Sequence, residues 1–165
     1  MLRRALVPVF ATALLSLGAA APSSTRVVKW PPWLSIESPV NPWDPSSRGV
    51  AFYVRTMLRE GVSGVSDMTG TAYGMVDGKR QTVPLEFGAT SRPGVFSVRR
   101  SWPTEGSWVL RVSVLTTTAV LTLDREGNVA SARIPTERTR GTGDVVPREV
   151  AQREIDSTLA ELSKR

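Results

Sequence analysis

Ser107-Trp108-Val109-Leu110-Arg111-Val112-Ser113-Val114 decides the architecture of this chain. Successive side chains of a strand point to opposite faces, so Trp108, Leu110, Val112 and Val114 share one side while Arg111 and Ser113 share the other. The stretch predicts a central core strand. Upstream, Val50, Phe52 and Val54 alternate with Ala51, Tyr53 and Arg55 and predict a half-buried strand. After a Gly and Ser loop from Gly61 to Ser66, Thr69 to Val76 leads to Asp77-Gly78, a pair suited to the positive φ angles of a two-residue hairpin turn. The chain returns as Lys79 to Phe87, with Val83, Leu85 and Phe87 on one face. Pro84 removes a ladder donor from that return, which predicts an edge strand.

A loop through Arg92-Pro93-Gly94 opens the strand Val95 to Arg100, with Phe96 and Val98 inward and Arg99 outward, and Ser101 to Gly106 connects it to the core strand. Downstream, Ala119 to Leu123 and Val129 to Ile134 flank Asp124-Arg125-Glu126-Gly127-Asn128, whose Gly and Asn suit a hairpin loop. With a first strand at Leu34 to Ser38, the pattern predicts an all-β fold, an antiparallel immunoglobulin-like sandwich of about seven to eight strands. No Gly-rich strand-to-helix motif and no helix-length periodic run separates the strands, which excludes a parallel doubly wound sheet.

Around this core the composition changes. Met1-Leu2-Arg3-Arg4 is basic, Ala5 to Leu17 is apolar apart from Thr12 and Ser16, and Gly18-Ala19-Ala20-Ala21 offers small residues for cleavage, so residues 1–21 read as a signal peptide. The reading places the protein in a secreted or periplasmic setting. It is tethered to a membrane only where the leader stays uncut, and the apolar stretch is at the short limit for crossing a bilayer. Residues 22–45 form a Pro/Trp-rich segment, 46–135 the sandwich domain, 136–143 a polar linker and 144–165 a C-terminal amphipathic helix. In that helix Ala151, Ile155, Leu159 and Leu162 share a stripe, with Pro147 in the first turn and Asp144 near the cap. So narrow a stripe must dock on the sandwich, pair with a partner, or fray.

The chain contains no His and no Cys. That rules out a Ser-His-Asp triad, a Cys nucleophile, a His or Cys zinc site and a disulfide. An exported fold without disulfides has to be stabilised by packing. Removal of Arg3 and Arg4 with the leader takes the basic residues from 21 to 19 against 15 acidic, a net charge of +4. Only Lys29, Lys79 and Lys164 are lysines, and none has a Ser three residues before it, so no Ser-Lys dyad is present. Turn carboxylates such as Asp124, Glu126, Asp67 and Asp77 show no spacing that singles out an acid and base pair, and they read as solvated turn formers. We therefore predict no catalytic residues, no cofactor and no metal ligands. The dispersed basic pattern is a poor match for nucleic acid.

Two groups suggest an interaction surface. Trp30-Pro31-Pro32-Trp33 and Asn41-Pro42-Trp43-Asp44-Pro45 carry three Trp on Pro-stiffened backbone. Trp30, Trp33 and Trp43 either stand out to stack on a sugar or anchor a protein, or fold over an open end of the sandwich to finish its core. Arg92, Arg99, Arg100 and Arg111 form the densest basic group, either an anion-facing stripe or the solvated faces of alternating strands.

Gly49-Val50-Ala51-Phe52, Thr69-Gly70-Thr71-Ala72, the Asp77-Gly78 turn, Pro93-Gly94-Val95-Phe96 and Trp102-Pro103-Thr104-Glu105-Gly106-Ser107-Trp108-Val109-Leu110 resemble the exported immunoglobulin-like modules of the YtkA and FixH type over about residues 34–115. The resemblance implies a sandwich outside the cytoplasm, often membrane-tethered. Copper-handling sandwiches of the CopC type share that class, but their ligand set of His and Met is missing, since the chain past its leader has only Met57, Met68 and Met75. Residues 68 and 75 differ by an odd number and face opposite sides of a continuous strand. The expected role is a non-enzymatic binding or accessory module that meets an envelope protein partner, with a carbohydrate-binding or weakly carbohydrate-active module as the alternative.

Overall fold

The alternation about Trp108 places one side of the chain between two antiparallel layers. The computed structural model describes residues 31–58, 61–62 and 68–164. The leader expected over residues 1–21 lies outside the described residues, as does Trp30. No helix among the described residues is long and apolar enough to cross a membrane.

The first layer contains β1 (Trp33–Glu37), β2 (Val50–Leu58), β3 (Gly61–Val62), β6 (Phe87–Ala89) and β7 (Val95–Arg99), in the order β1-β2-β7-β6 with β3 paired to β2. The second contains β4 (Met68–Val76), β5 (Lys79–Pro84), β8 (Ser107–Val114), β9 (Thr117–Leu123) and β10 (Val129–Arg133), in the order β10-β9-β8-β4-β5. Leu34, Phe52, Val54 and Val98 of the first layer meet Trp108, Leu110, Val112, Val114 and Leu121 of the second in one core. Each such side chain contributes about 1.5–3 kcal/mol on burial. Strand β4 faces this core with Gly70, Ala72 and Gly74, which leave room for bulky neighbours. A Cβ on Gly70 would meet Phe87 and Leu85, and one on Gly74 would meet the Trp108 ring.

The local signals behave as their chemistry requires. Asp77 and Gly78 both have positive φ, and Val76 pairs with Lys79 across them, so the chain reverses in two residues. The β9–β10 turn is closed by Asp124, whose carboxylate accepts from the Asn128 amide at 2.7 Å. Strand β5 is an edge, as Pro84 requires.

Five expectations need correction. The two layers hold ten strands rather than about seven to eight, because short segments such as β3 and β6 pair as strands of their own. The run Lys79 to Phe87 is two strands: the Leu85 amide makes a last bond to Gly70 at 3.0 Å, then the chain crosses layers and Phe87 pairs with Val98. Val50 does not share the Phe52 face, because the β2–β7 register shifts between them and Val50 packs with Tyr53, Val95 and Val40 instead. Gly61 to Ser66 is not wholly loop, since Gly61–Val62 pairs with Met57 and Leu58. The linker at 136–143 and the start of the helix at 144 are replaced by a ribbon of β11 (Thr136–Arg138) and β12 (Val145–Pro147). Pro147 pairs with Thr136 in that ribbon. The Arg148 amide then donates to Pro135 and its carbonyl accepts from Thr118, which holds the backbone extended until Ala151.

Helix α1 (Gln152–Leu162) begins there. The Glu154 side chain accepts from the Ala151 amide at 3.2 Å, the backward half of a capping box. Ile155 and Leu159 pack on Val109 and Val120, the outward apolar residues of β8 and β9. Arg148 pairs with Glu154 at 2.7 Å, and Arg80 pairs with Asp156. Of the three open possibilities for this segment, docking on the sandwich is the one observed.

Candidate functional site

Pro39, Pro42 and Pro45 deprive the β1–β2 connection of backbone donors, so its shape depends on two short acceptor side chains. Asn41 Oδ1 accepts from the Trp43 amide at 3.0 Å, and Asp44 Oδ1 accepts from the Ser46 amide at 2.9 Å and its hydroxyl at 2.8 Å. Ser47 is buried, and its hydroxyl lies 2.6 and 2.7 Å from the carbonyls of Asn41 and Asp44, which share its one proton. The Ser46 hydroxyl, then its amide, holds the Asp44 carboxyl below its ordinary pKa. Trp43 sits between these braces and is 89 % exposed. A Trp that finished the core would be covered, so that alternative fails for Trp43. Trp102 and Trp108, 3 % and 1 % exposed, fill the interior instead.

Trp33 lies on β1 directly across from Met57 of β2, and the two form an exposed pair at 43 % and 39 %. Met68 packs against the core and Met75 lies on the opposite side under α1, as their odd spacing demands. The three thioethers therefore do not converge.

The basic stripe does not assemble. Arg111 points outward from the second layer, where it pairs with Glu149 at 2.8 Å and touches Ser113 at 3.3 Å. It lines a polar depression of about 190 Å³ with Thr69, Thr71 and Tyr73. Arg92 pairs with Glu37 at 3.0 Å and lies 5.0 Å over the Tyr53 ring. Arg99 and Arg100 stay together at the end of β7, where Arg99 is paired in register with Val50 and Arg100 donates to the Glu126 carbonyl at 2.9 Å. Arg100 and Asn128 line a cavity of about 390 Å³ with Pro39, Val40, Val50 and Ala51, at the base of the Trp43 loop. The sequence reading did not single out Val40 and took Asn128 only as a hairpin-loop residue, yet Asn41-Pro42-Trp43-Asp44-Pro45-Ser46 is an Asx-turn signature that announces a braced loop.

Asp124 is occupied in closing its own turn and Asp77 is exposed in the hairpin. Asp67 lies outside the described residues. The chain matches no family model, no curated protein and no solved structure.

Proposed function

We propose that this chain is a non-enzymatic binding or accessory module of the cell envelope, secreted or periplasmic, which engages a protein partner through the Trp43 loop. One observation carries the reading: Trp43 is 89 % exposed on a loop that seven internal hydrogen-bond contacts among Asn41, Trp43, Asp44, Ser46 and Ser47 hold in place. A large apolar side chain on stiff backbone loses little conformational freedom when it binds, the property that makes Trp a frequent binding anchor. The layer order β1-β2-β7-β6 over β10-β9-β8-β4-β5 corresponds to strands A-B-E-D over G-F-C with one added strand beside C and another beside G, which supports an immunoglobulin-like assignment.

The test is affinity capture from envelope extract with the tagged full chain and its Trp43→Ala variant. A partner retained by the parent and lost by the variant is the expected result. Equal retention by both, or a chain found wholly in the cytosol, refutes the proposal. The same exposed indole favours a glycan as the second reading, since an indole face stacks on a sugar ring. A glycan array that shows Trp43-dependent binding, with no protein captured, selects it.

A further inference from the structure

Trp43 and the cavity of about 390 Å³ belong to one connection of the chain. Pro39 and Val40 leave β1, Val50 and Ala51 enter β2, and both pairs line the cavity, while Trp43 lies three residues past Val40. Three residues span at most about 11 Å, so the indole stands beside the cavity. At 89 % exposure it does not fill it, and the braces at Asn41, Asp44 and Ser47 hold the loop as it stands.

The cavity has the chemistry of an indole receptor. Pro39, Val40, Val50 and Ala51 give it an apolar wall, and a cavity of roughly 150 Å³ already admits a benzene ring. Arg100 lines it with a cation, which favours the face of Trp over other rings. Asn128 also lines it and spends its side-chain nitrogen on Asp124 at 3.4 Å, which leaves its side-chain carbonyl to accept from an indole N–H. The charges at this end are mixed: exposed Arg48, Arg99, Arg100 and Arg125 accompany exposed Asp44, Asp124 and Glu126. Two such surfaces face one another with little net repulsion, and each sign has an opposite to meet.

We infer that two copies of this chain pair through this end, with the Trp43 of each seated in the cavity of the other. Anchor and receptor lie side by side on one connection, so a two-fold axis forms both contacts at once and closes the assembly as a dimer. The inference rests on the proposed protein-binding role of the Trp43 loop and names the partner as a second copy. Two indoles bury about 300–500 Å² between them, well short of the roughly 1,200–2,000 Å² of a standard interface, so with only the adjoining loops to add, the dimer is weak and reversible.

Analytical ultracentrifugation of the full chain, from micromolar to millimolar concentration, should show a reversible monomer–dimer equilibrium. Trp43→Ala should weaken it roughly a thousandfold, because one such anchor is worth about thirtyfold and the symmetric contact loses two. Val40→Glu, which places a carboxylate in the cavity beside Arg100, should weaken it comparably, and Trp33→Ala, at the far end of β1, should leave it unchanged. Thermal melts establish that each variant is folded, and Asn128→Arg replaces Val40→Glu if that chain is not. In a Trp30→Phe, Trp33→Phe chain the other indoles besides Trp43, those of Trp102 and Trp108, are buried, so iodide quenching should fall as the dimer forms. A chain that stays monomeric, a dimer indifferent to both variants, or quenching that does not change with concentration overturns the inference. So does loss on Trp43→Ala with Val40→Glu indifferent, because Trp43 is then seated elsewhere. If the chain stays monomeric while it captures an envelope protein in a Trp43-dependent way, the inference fails and the role of the Trp43 loop stands.

Discussion

Gly74→Ala sets two known effects against each other. A strand glycine replaced by alanine normally gains about 0.5–1 kcal/mol, because the unfolded chain has less freedom to lose. Here the new Cβ would lie 2.5 to 2.6 Å from three carbons of the Trp108 six-membered ring, where about 3.5–4.0 Å is the comfortable separation. The ring has little room to retreat, for it is 1 % exposed and its Nε1 donates to the Glu105 carbonyl at 2.8 Å. Overpacking of this kind costs about 1–3 kcal/mol, so the net expectation is a loss of about 1–2 kcal/mol and a fall in Tm of about 3–10 °C. The assay is thermal unfolding of four proteins: parent, Gly74→Ala, Trp108→Leu, and the double variant. Trp108→Leu removes the clashing carbons at a cost of roughly 2–4 kcal/mol, and in that background Gly74→Ala should be neutral or stabilising. An additive cycle, or a Gly74→Ala protein that melts with the parent, would refute the claim that this glycine exists to seat the indole.

Further predictions concern the edges of the core. Ile155→Ala with Leu159→Ala removes the buried stripe of α1, at about 2–5 kcal/mol per site, so the 222 nm helical signal should fall while the near-ultraviolet signal of Trp108 persists. Arg148 holds the Glu154 carboxyl down to about 2, so its contribution to helix docking is present above its ordinary 4.5 and fades as the pH falls toward 2, while Gln152 and then Arg80 depress Asp156, whose contribution is likewise lost on acidification below its ordinary 3.8. Amide exchange should report α1 loosening in that window before β8, and equal rates in both elements would contradict the linkage. Trp102→Phe should change stability by no more than about 1 kcal/mol: the smaller ring loses contact with Phe52, but the indole Nε1 is a buried donor without a partner among the described residues. A loss of about 3 kcal/mol or more on chemical denaturation would mean that this nitrogen is satisfied in solution.

The layers were legible in the sequence wherever packing imposes a period of two. Trp108 to Val114 and the Asp77-Gly78 turn read correctly because each residue's role follows from its immediate neighbours. Val50 misled because its register shift is a relation between two strands, and no single-strand pattern records it. The ribbon was hidden for a different reason: Thr136–Arg138 is exposed throughout and carries no apolar period to detect. Pro147 then looked like a helix opener when it is a strand residue whose ring needs no amide partner. Val109 and Val120 face away from the core between the layers, and α1 covers them. The Pro and Trp content of residues 22–45 fits either covering or display, and the 89 % exposure of Trp43 decides for display at that residue.

Strands β1 to β3 belong to one layer, β4 and β5 to the other, β6 and β7 return to the first, and β8 to β10 complete the second. Neither layer is therefore a contiguous piece of polypeptide. A nascent chain that stops before Leu123 has Phe52 and Val98 already made but lacks part of the wall against which they close. Such interleaving raises contact order and delays folding until most of the chain is present. Synthesis from the amino end thus leaves a long interval in which the sequence remains open to threading, chaperones or proteases.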